Sequence, residues 1–323
     1  MREIRPVFIV GMNGSGTTML ADSLGFHPAL FVLPSESRIL PYVIRKAASY
    51  GDMMLLTNRR RLADQLCKAR PFWHANGRKR LILPDHELCV AGLAETIDAV
   101  FAHFASREGK SRWGEKSPMN LLHMRSLAEV FPGARFVHII RDGRDAAQSF
   151  ERRFGFLPSE TIYRWRRALS EGQAQGAKLG GERYLEVRYE DLTVEPERSM
   201  RTVCDFLDLP FDLVVMTSSM RMADPSLKSG DARIKQNSGK WQEYFSDRQT
   251  VALEGIAGRK LRQLGYVVSL DGATDPNRLQ LLWWRGRGVL RRTIIHFRQR
   301  GWAGLHGYIK SIAVAVKQSI AGR

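Results

Sequence analysis

The chain has few cysteines and no long apolar run. Its three cysteines, Cys67, Cys89 and Cys204, are far apart, with no C-x-x-C pair or Cys/His cluster. This spacing argues against a disulfide framework and against a zinc site. No stretch approaches the roughly 18 apolar residues of a membrane span, and the short, charged segment 1–6 leaves no room for the apolar core of a signal peptide. The sequence therefore predicts a cytoplasmic protein.

Acidic residues are absent from the last 48 residues, 276–323, which hold ten of the lysines and arginines that give the chain a net charge of +17. Such asymmetry predicts an anionic partner. Leu, Trp and Arg at helical spacing, broken near Gly286 and Gly288, suit a membrane interface, so we expect a basic amphipathic extension (271–323) that lies on an anionic membrane. Packing on the preceding domain (1–270), or on a second subunit in a homodimer, is the alternative. Nucleic acid is not predicted, because no aromatic-interleaved basic module accompanies the charge.

The stretch Pro6–Pro28 reads as a strand, a glycine turn and a helix. Residues 7–10 are β-branched and aromatic, as in a short buried strand. Three glycines follow within residues 11–16, and apolar residues then recur at helical spacing until Pro28. Glycines allow backbone amides to turn toward an anion, and the helix N-terminus adds its positive end. We interpret this stretch as a phosphate site in an α/β fold; a plain strand-to-helix turn is the alternative.

The turn lacks the lysine of a nucleotide-triphosphate loop. Gly11 and Gly16 match the pattern G-x-x-x-x-G-K-[ST], but Thr17 stands in the lysine position and Thr18 follows it. That lysine is the charge that reaches the β- and γ-phosphates. The loop is therefore suited to a 5′-phosphate and poorly suited to a triphosphate, which disfavours a kinase.

Polar residues follow several other predicted strands. Glu36 comes just after the apolar run 30–33, and Lys116 lies in a predicted loop, Trp113–Pro118. The strand 134–140 ends at Arg141, and Ser149 lies about two turns into the next helix. Because ligands bind at the carboxyl ends of parallel strands, these residues are candidates for one site. An ordinary loop carboxylate and a surface lysine are the alternatives for Glu36 and Lys116.

Arginine at the end of strand 134–140 suggests that the protein itself neutralises the ligand's charge. A kinase or GTPase would place a magnesium-binding Asp at such a strand end, whereas Arg141 can bind a phosphate with its forked guanidinium. No metal is therefore expected. A further predicted loop, 223–240, ends at Lys240, and a loop of this length inside a domain is usually functional.

Two of these segments together resemble the sulfotransferases that use 3′-phosphoadenosine 5′-phosphosulfate (PAPS), most closely the bacterial and tyrosylprotein-type branch. Residues 8–18 are similar to that family's 5′-phosphosulfate loop, and residues 136–149 to its 3′-phosphate motif. Supporting matches are His27-Pro28, Trp113–Pro118, Tyr189–Leu192 and Ser238–Trp241. The resemblance covers about residues 6–265 and implies the sulfotransferase fold, a P-loop-like parallel sheet flanked by helices.

The resemblance also implies roles for individual residues. Glu36 matches a catalytic glutamate of the tyrosylprotein-type members, and Lys116 a lysine that approaches the sulfuryl group. The residues that it implies for cofactor binding are Asn13, Gly14, Ser15, Gly16, Thr17 and Thr18 at the 5′-phosphosulfate, Arg141 and Ser149 at the 3′-phosphate, and Arg188, Tyr189 and Lys240 near the nucleotide.

One position departs from the family pattern. Members usually carry Arg or Lys immediately before Ser-Gly-Thr-Thr, where this chain has Gly14. The sequence therefore leaves open a nucleotide-binding protein with weakened catalysis. We expect transfer of the sulfuryl group from PAPS to a hydroxyl acceptor, favouring a carbohydrate or lipid-linked glycan, with a tyrosylprotein acceptor as the alternative and a P-loop kinase as a remote one.

Overall fold

The computed structural model describes residues 3–216 and 238–320, which form two compact units. The first unit is built from 1–141 and 168–237, and the second from 142–167 and 238–323. The first contains a parallel sheet of five strands in the order β2-β3-β1-β4-β5. The strands are β1 (Val7–Gly11), β2 (Leu30–Val32), β3 (Arg112–Lys116), β4 (Arg135–Ile140) and β5 (Tyr184–Arg188).

Helices alternate with the strands along the sequence, as expected for an α/β fold. In the described part of the chain they are α1 (Thr17–Gly25), α2 (Leu40–Arg45), α3 (Leu56–Cys67), α4 (Arg70–Ala75), α5 (Leu93–Arg107), α6 (Met124–Val130), α7 (Gly143–Phe154), α8 (Pro158–Leu179), α9 (Tyr189–Val194), α10 (Pro196–Phe206), α11 (Trp241–Tyr244), α12 (Asp247–Gln263) and α13 (Arg278–Ile320). Short 3₁₀ turns cover Ala47–Tyr50, Asp85–Leu88, Pro118–His123 and Leu213–Met216. None of the helices described is long and apolar enough to cross a membrane.

Both faces of the sheet are apolar, as is usual when helices cover each side of a parallel sheet. On one face aromatic rings pack together: Phe8 stacks on Phe136 with ring centroids 5.2 Å apart, and Trp113 stacks on Phe101 of α5 at 4.1 Å. The other face is aliphatic and packs against α1 and α10, with buried members such as Ile9. Apart from the buried Glu115 and His138, the side chains of the sheet core are apolar, and most of the polar candidates lie where the strands end.

The structure corrects one strand and several boundaries. The segment 113–118, which we expected to be a loop around Lys116, contains most of β3, the strand between β2 and β1. Its apolar pattern is weak because three of its five residues are charged, and two of them, Glu115 and Lys116, are buried and hydrogen-bonded. The sequence pattern favours one helix over 39–49, whereas the structure has α2 (Leu40–Arg45) followed by a 3₁₀ turn (Ala47–Tyr50). Of the predicted loop 223–240, residues 223–237 lie outside the described residues.

Buried charges hold the second unit together. Arg144, on the first turn of α7, pairs with Asp142 at 2.8 Å and with Glu254 of α12 at 2.7 Å. Glu254 also accepts the amides of Ser269 and Leu270, at 2.8 and 2.9 Å. The carboxylate thus ties the segment after α12 to α7 and α12, and a buried pair of this kind is costly to break from one side.

Helix α13 does not break where the sequence suggested. It continues through Gly286 and Gly288 and is interrupted at Gly301, whose φ is 58° and ψ −148°. Gly288 is buried, and a Cβ there would lie 3.3 Å from Glu160 Oε2. The glycine therefore allows close packing of α13 on α8 and does not end the helix.

We predict that Gly258→Ala destabilises the second unit. Its Cβ would overlap the carbonyl oxygen of Leu270 and lie 2.9 Å from the amide nitrogen of Gly272, so the backbone after α12 must move. Overpacking of this kind costs about 1–3 kcal/mol. Gly286→Ala is the matched control, because nothing lies within 4 Å of its Cβ and alanine favours the helix. Denaturant unfolding should separate the two variants; equal stability would contradict the packing described.

Candidate active site

The turn after β1 has the backbone of an anion-binding loop. Gly14 and Gly16 adopt φ values of 87° and 96°, which favour glycine. Ser15 donates its amide to the Met12 carbonyl at 3.0 Å, whereas its buried hydroxyl has no hydrogen-bond partner among the described residues. Helix α1 then begins at Thr17 without a side-chain cap, which leaves first-turn amides available to a ligand. The Ser15 hydroxyl and these amides are donors that suit a phosphate.

Two further strands deliver residues to this loop. Tyr189, just after β5, packs so closely on Gly16 that a Cβ at position 16 would overlap its ring. Arg141, just after β4, places its guanidinium 4.3 Å from the centre of the same ring. It also donates to the carbonyl of Gly14 at 3.1 Å. The ends of β1, β4 and β5 therefore form one cradle with a buried cation.

Lys116 joins the other side of the sheet to α1. Its Nζ donates to Thr18 Oγ1 at 3.3 Å and lies 3.2 Å from Glu36 Oε1. The lysine is almost fully buried, and Glu36 also pairs with the exposed guanidinium of Arg38. Lys116 comes from the end of β3 and Glu36 from the segment after β2, so the structure brings together both residues proposed as catalytic.

For the remaining predicted cofactor residues, the structure gives the element on which each lies. Asn13 lies half-exposed in the glycine loop, and Arg188 ends β5 half-buried. Ser149 and Lys240 belong to the second unit, Ser149 on α7 and Lys240 just before α11. Their binding roles stay predictions.

Within the second unit, the segment that carries Lys240 is fixed to the start of α7. Asp145 accepts the amide of Gly239 at 2.7 Å and that of Trp241 at 3.0 Å. Arg144 places its guanidinium 3.8 Å from the centre of the Trp241 ring. Asp145 is one helical turn before Ser149, so both polar residues predicted in this unit depend on α7 for their position.

Comparison with known proteins identifies the family. A family model described as the sulfotransferase family matches residues 6–213, which is more than half of the chain. The chain belongs to the sulfotransferase family. The matched range includes every strand of the sheet and both sides of the cradle described above.

Several curated relatives of this sulfotransferase are protein-tyrosine sulfotransferases. Protein-tyrosine sulfotransferase 1 of Danio rerio is 26% identical over 224 residues, which cover 67% of this chain and 56% of the relative. The Drosophila melanogaster protein is 27% identical over 229 residues, covering 67% and 40%. Protein-tyrosine sulfotransferase A of Caenorhabditis elegans is 26% identical over 287 residues, covering 84% and 67%. The chain thus spans about half the length of most of these relatives.

Solved structures confirm the predicted α/β fold. The sulfotransferase domain of the Synechococcus PCC 7002 olefin synthase matches with a TM-score of 0.54 and 21% identity, covering 83% of this chain and 96% of that domain. The sulfotransferase domain from the curacin biosynthetic pathway matches with a TM-score of 0.56 and 19% identity, covering 83% and 100%.

A buried glutamate that the sequence analysis overlooked organises this site of the sulfotransferase. Glu115, on β3, is fully buried and accepts four hydrogen bonds. The donors are the Ser37 amide at 3.1 Å, the Ser37 hydroxyl at 2.9 Å, the Asn120 side-chain amide at 2.7 Å and the Ser117 hydroxyl. Burial raises the pKa of Glu115 above its usual range, while the hydrogen bonds from Ser117 and Ser37 act in the opposite direction. Ser37 is next to Glu36 and Lys116 is next to Glu115, so this network fixes the segments that carry both residues.

Asp22 is a second titratable group that the sequence analysis overlooked. It lies on α1, one turn after Thr18, and its Oδ2 has no hydrogen-bond partner among the described residues. Burial raises the pKa of Asp22 to about 6, and the nearby charge of Lys116 acts against that rise. As the pH rises through this value, Asp22 therefore gains a negative charge close to Lys116. Asp22 follows Thr18 by four residues, a spacing that places both on the same face of a helix and could have predicted that Asp22 lies near the site.

We predict that Glu115→Ala loosens the segments that carry Glu36 and Lys116. The loss leaves buried donors unpaired, at a cost of at least about 3 kcal/mol in unfolding free energy. Amide hydrogen exchange at Ser37 should accelerate at least tenfold relative to that at residues of β4.

Glu115→Gln should retain most of the stability. Its carbonyl can accept from Ser37 and Ser117, and Asn120 can turn its amide to accept from the new NH₂ group. Glu108→Ala, at an exposed position, is the control. If Glu115→Ala exchanges at the native rate, or Glu115→Gln is as unstable as Glu115→Ala, the positioning role is wrong.

Proposed function

We propose that this sulfotransferase transfers the sulfuryl group of PAPS to a hydroxyl group of its acceptor. The observation that carries the proposal is the contact of Lys116 with both Thr18 and Glu36, at 3.3 and 3.2 Å. It places a buried cation and a carboxylate beside the start of the helix that follows the anion-binding loop. Sulfuryl transfer, like phosphoryl transfer, needs charge stabilisation and a group that takes the acceptor's proton.

The residues of the first unit suit the nucleotide. The unpaired Ser15 hydroxyl and the amides at the start of α1 would hold the 5′-phosphosulfate, with Thr17 and Thr18 beside them. Arg141 would bind the 3′-phosphate and Tyr189 would lie beside the nucleotide. Ser149 and Lys240, which belong to the second unit, keep the roles that the family resemblance implies, at the 3′-phosphate and near the nucleotide.

The proposed reaction forms one bond and breaks one. The acceptor oxygen bonds to sulfur as the bond between sulfur and the bridging phosphate oxygen breaks, and PAPS leaves as its desulfated product. Glu36 takes the proton of the acceptor hydroxyl. Lys116 and the amides at the start of α1 stabilise the charge that grows on the leaving phosphate.

The missing cation at position 14 has a candidate substitute. Lys116 contacts Thr18 at the start of α1, so a buried ammonium lies beside the segment where family members usually carry Arg or Lys, and Arg141 is left for the 3′-phosphate. This contact supports an active enzyme over a protein that only binds nucleotide. Among the described residues, no group of three or more His, Cys, Asp or Glu is arranged to hold a metal ion.

The comparisons favour the tyrosylprotein alternative over the carbohydrate or lipid-linked glycan that we expected. The relatives from fish, fly and worm are all named protein-tyrosine sulfotransferases. We therefore propose a tyrosine hydroxyl in a polypeptide as the first acceptor to test and a carbohydrate hydroxyl as the second. A cytoplasmic location and a homodimer remain predictions from the sequence.

The deciding experiment is transfer of labelled sulfuryl from PAPS to tyrosine peptides and, in parallel, to oligosaccharides.

We predict that Glu36→Gln keeps its affinity for the desulfated product while turnover falls by about 10²–10⁴-fold, the usual range for a general base. Glu129→Gln, at an exposed position on α6, is the control. Normal turnover in Glu36→Gln would exclude Glu36 as the base, and nucleotide binding without transfer to any acceptor would favour the non-catalytic alternative.

Arg141→Ala should weaken binding of the desulfated 3′,5′-bisphosphate by about 2–4 kcal/mol, because a charged phosphate loses its forked partner. Calorimetric titration in EDTA measures this, and binding that disappears on chelation would contradict a metal-free site. Arg141→Lys, which keeps the charge but not the fork, should recover part of the loss. The analogue without a 3′-phosphate should be nearly indifferent to either change. Equal losses for both nucleotides would mean that Arg141 does not bind the 3′-phosphate.

A further inference from the structure

The described contacts of α13 with its own unit lie on one face of the helix. Arg291 pairs with Glu151 of α7 at 2.5 Å, and the guanidinium of Arg292 lies 4.2 Å from the centre of the Phe156 ring. The rings of Trp284 and Tyr163 have centroids 6.3 Å apart. A Cβ on Gly155 would overlap the side chain of Ile295. Positions 284, 288, 291, 292 and 295 recur at helical spacing, so the described contacts form one packed face.

A second face of the same helix is apolar and exposed. Leu279, Trp283, Leu290, Ile294 and Phe297 are separated by four, seven, four and three residues, which places them along one side of a helix. Their exposed fractions run from 42% at Ile294 and Phe297 to 76% at Leu279. At about 1.5 Å per residue this apolar stripe, as we name these five residues, is about 27 Å long.

The charge around the apolar stripe has one sign. Residues 276–323 contain no Asp or Glu, and Arg278, Arg285, Arg287 and Arg298 are exposed on the first half of α13. The guanidinium of Arg287 lies 5.0 Å from the centre of the Trp283 ring. An arginine whose stem follows an apolar side chain while its charge stays in solvent is suited to the boundary between acyl chains and headgroups.

We propose that the apolar stripe and its flanking arginines bind an anionic lipid surface. A second copy of the chain is a poor occupant, because two such faces would bring arginines together without carboxylates to pair with them. A membrane matches the surface better, since anionic headgroups pair with the arginines and the stripe can enter the headgroup layer along its length. This proposal is independent of the reaction proposed above.

Co-sedimentation of the full chain with vesicles tests the proposal. The protein should pellet with vesicles of phosphatidylcholine and phosphatidylglycerol at low salt and much less with phosphatidylcholine alone. Leu290→Ser with Ile294→Ser should lower the partition coefficient at least about tenfold. Val267→Ser is the matched control, because Val267 is an exposed apolar residue outside α13. Truncation is avoided, since it would remove the contacts to Glu151 and Phe156.

The charges are tested by a second pair of substitutions. Arg285→Gln with Arg287→Gln should lower partitioning on the anionic vesicles about 25-fold, or fivefold for each charge, with no change in thermal unfolding. Equal pelleting with both kinds of vesicle, or no effect of the apolar double variant, would overturn the proposal. So would a full chain that is a dimer by analytical ultracentrifugation and becomes a monomer when Leu290 and Ile294 are replaced, because the stripe would then be a subunit interface.

Discussion

A buried carboxylate holds together one side of this candidate active site. Glu115 lies inside the sheet, where an unsatisfied charge would be very unfavourable, so its oxygens must be surrounded by donors. Those donors come from Ser37 and Asn120 as well as from neighbouring Ser117, and the segments that follow β2 and β3 are thereby held together. The contact between Glu36 and Lys116 depends on this arrangement, although Glu115 touches neither side chain in the bonds described.

The glycine loop is held by close steric packing, whereas the segments around Glu115 are held by hydrogen bonds. Gly16 has no side chain, and Tyr189 occupies the space that a Cβ would need. Tyr189 in turn supports the guanidinium of Arg141. The loop that is proposed to bind the anion and Glu36, the proposed proton acceptor, thus follow different strands. Thr18 at the start of α1 connects them through Lys116.

Local sequence patterns predicted the glycine loop and most helices and strands. They could not predict contacts between residues that are far apart in the sequence. The strand, turn and helix around Gly14 are recognisable because their signals are contiguous. Strand β3 was missed because the burial of Glu115 depends in part on Ser37, which is 78 residues away in the sequence. The break expected near Gly288 was wrong for a similar reason, since that glycine accommodates a neighbouring helix. The apolar spacing of the stripe on α13 can be recognised in the sequence. Which face of the helix is packed and which is exposed became clear only from the contacts to Glu151 and Phe156.

The division of the second unit into two separated segments has a consequence for how the chain folds. Arg144 meets Glu254 across 110 residues of sequence. During synthesis, all five strands are complete once residue 188 has been made, whereas α7 cannot pair with Glu254 until much later. Contacts between distant segments form slowly because the intervening chain must first be ordered. The nascent chain therefore passes through a stage in which its sheet can form while the future partners of α7 have not yet emerged from the ribosome.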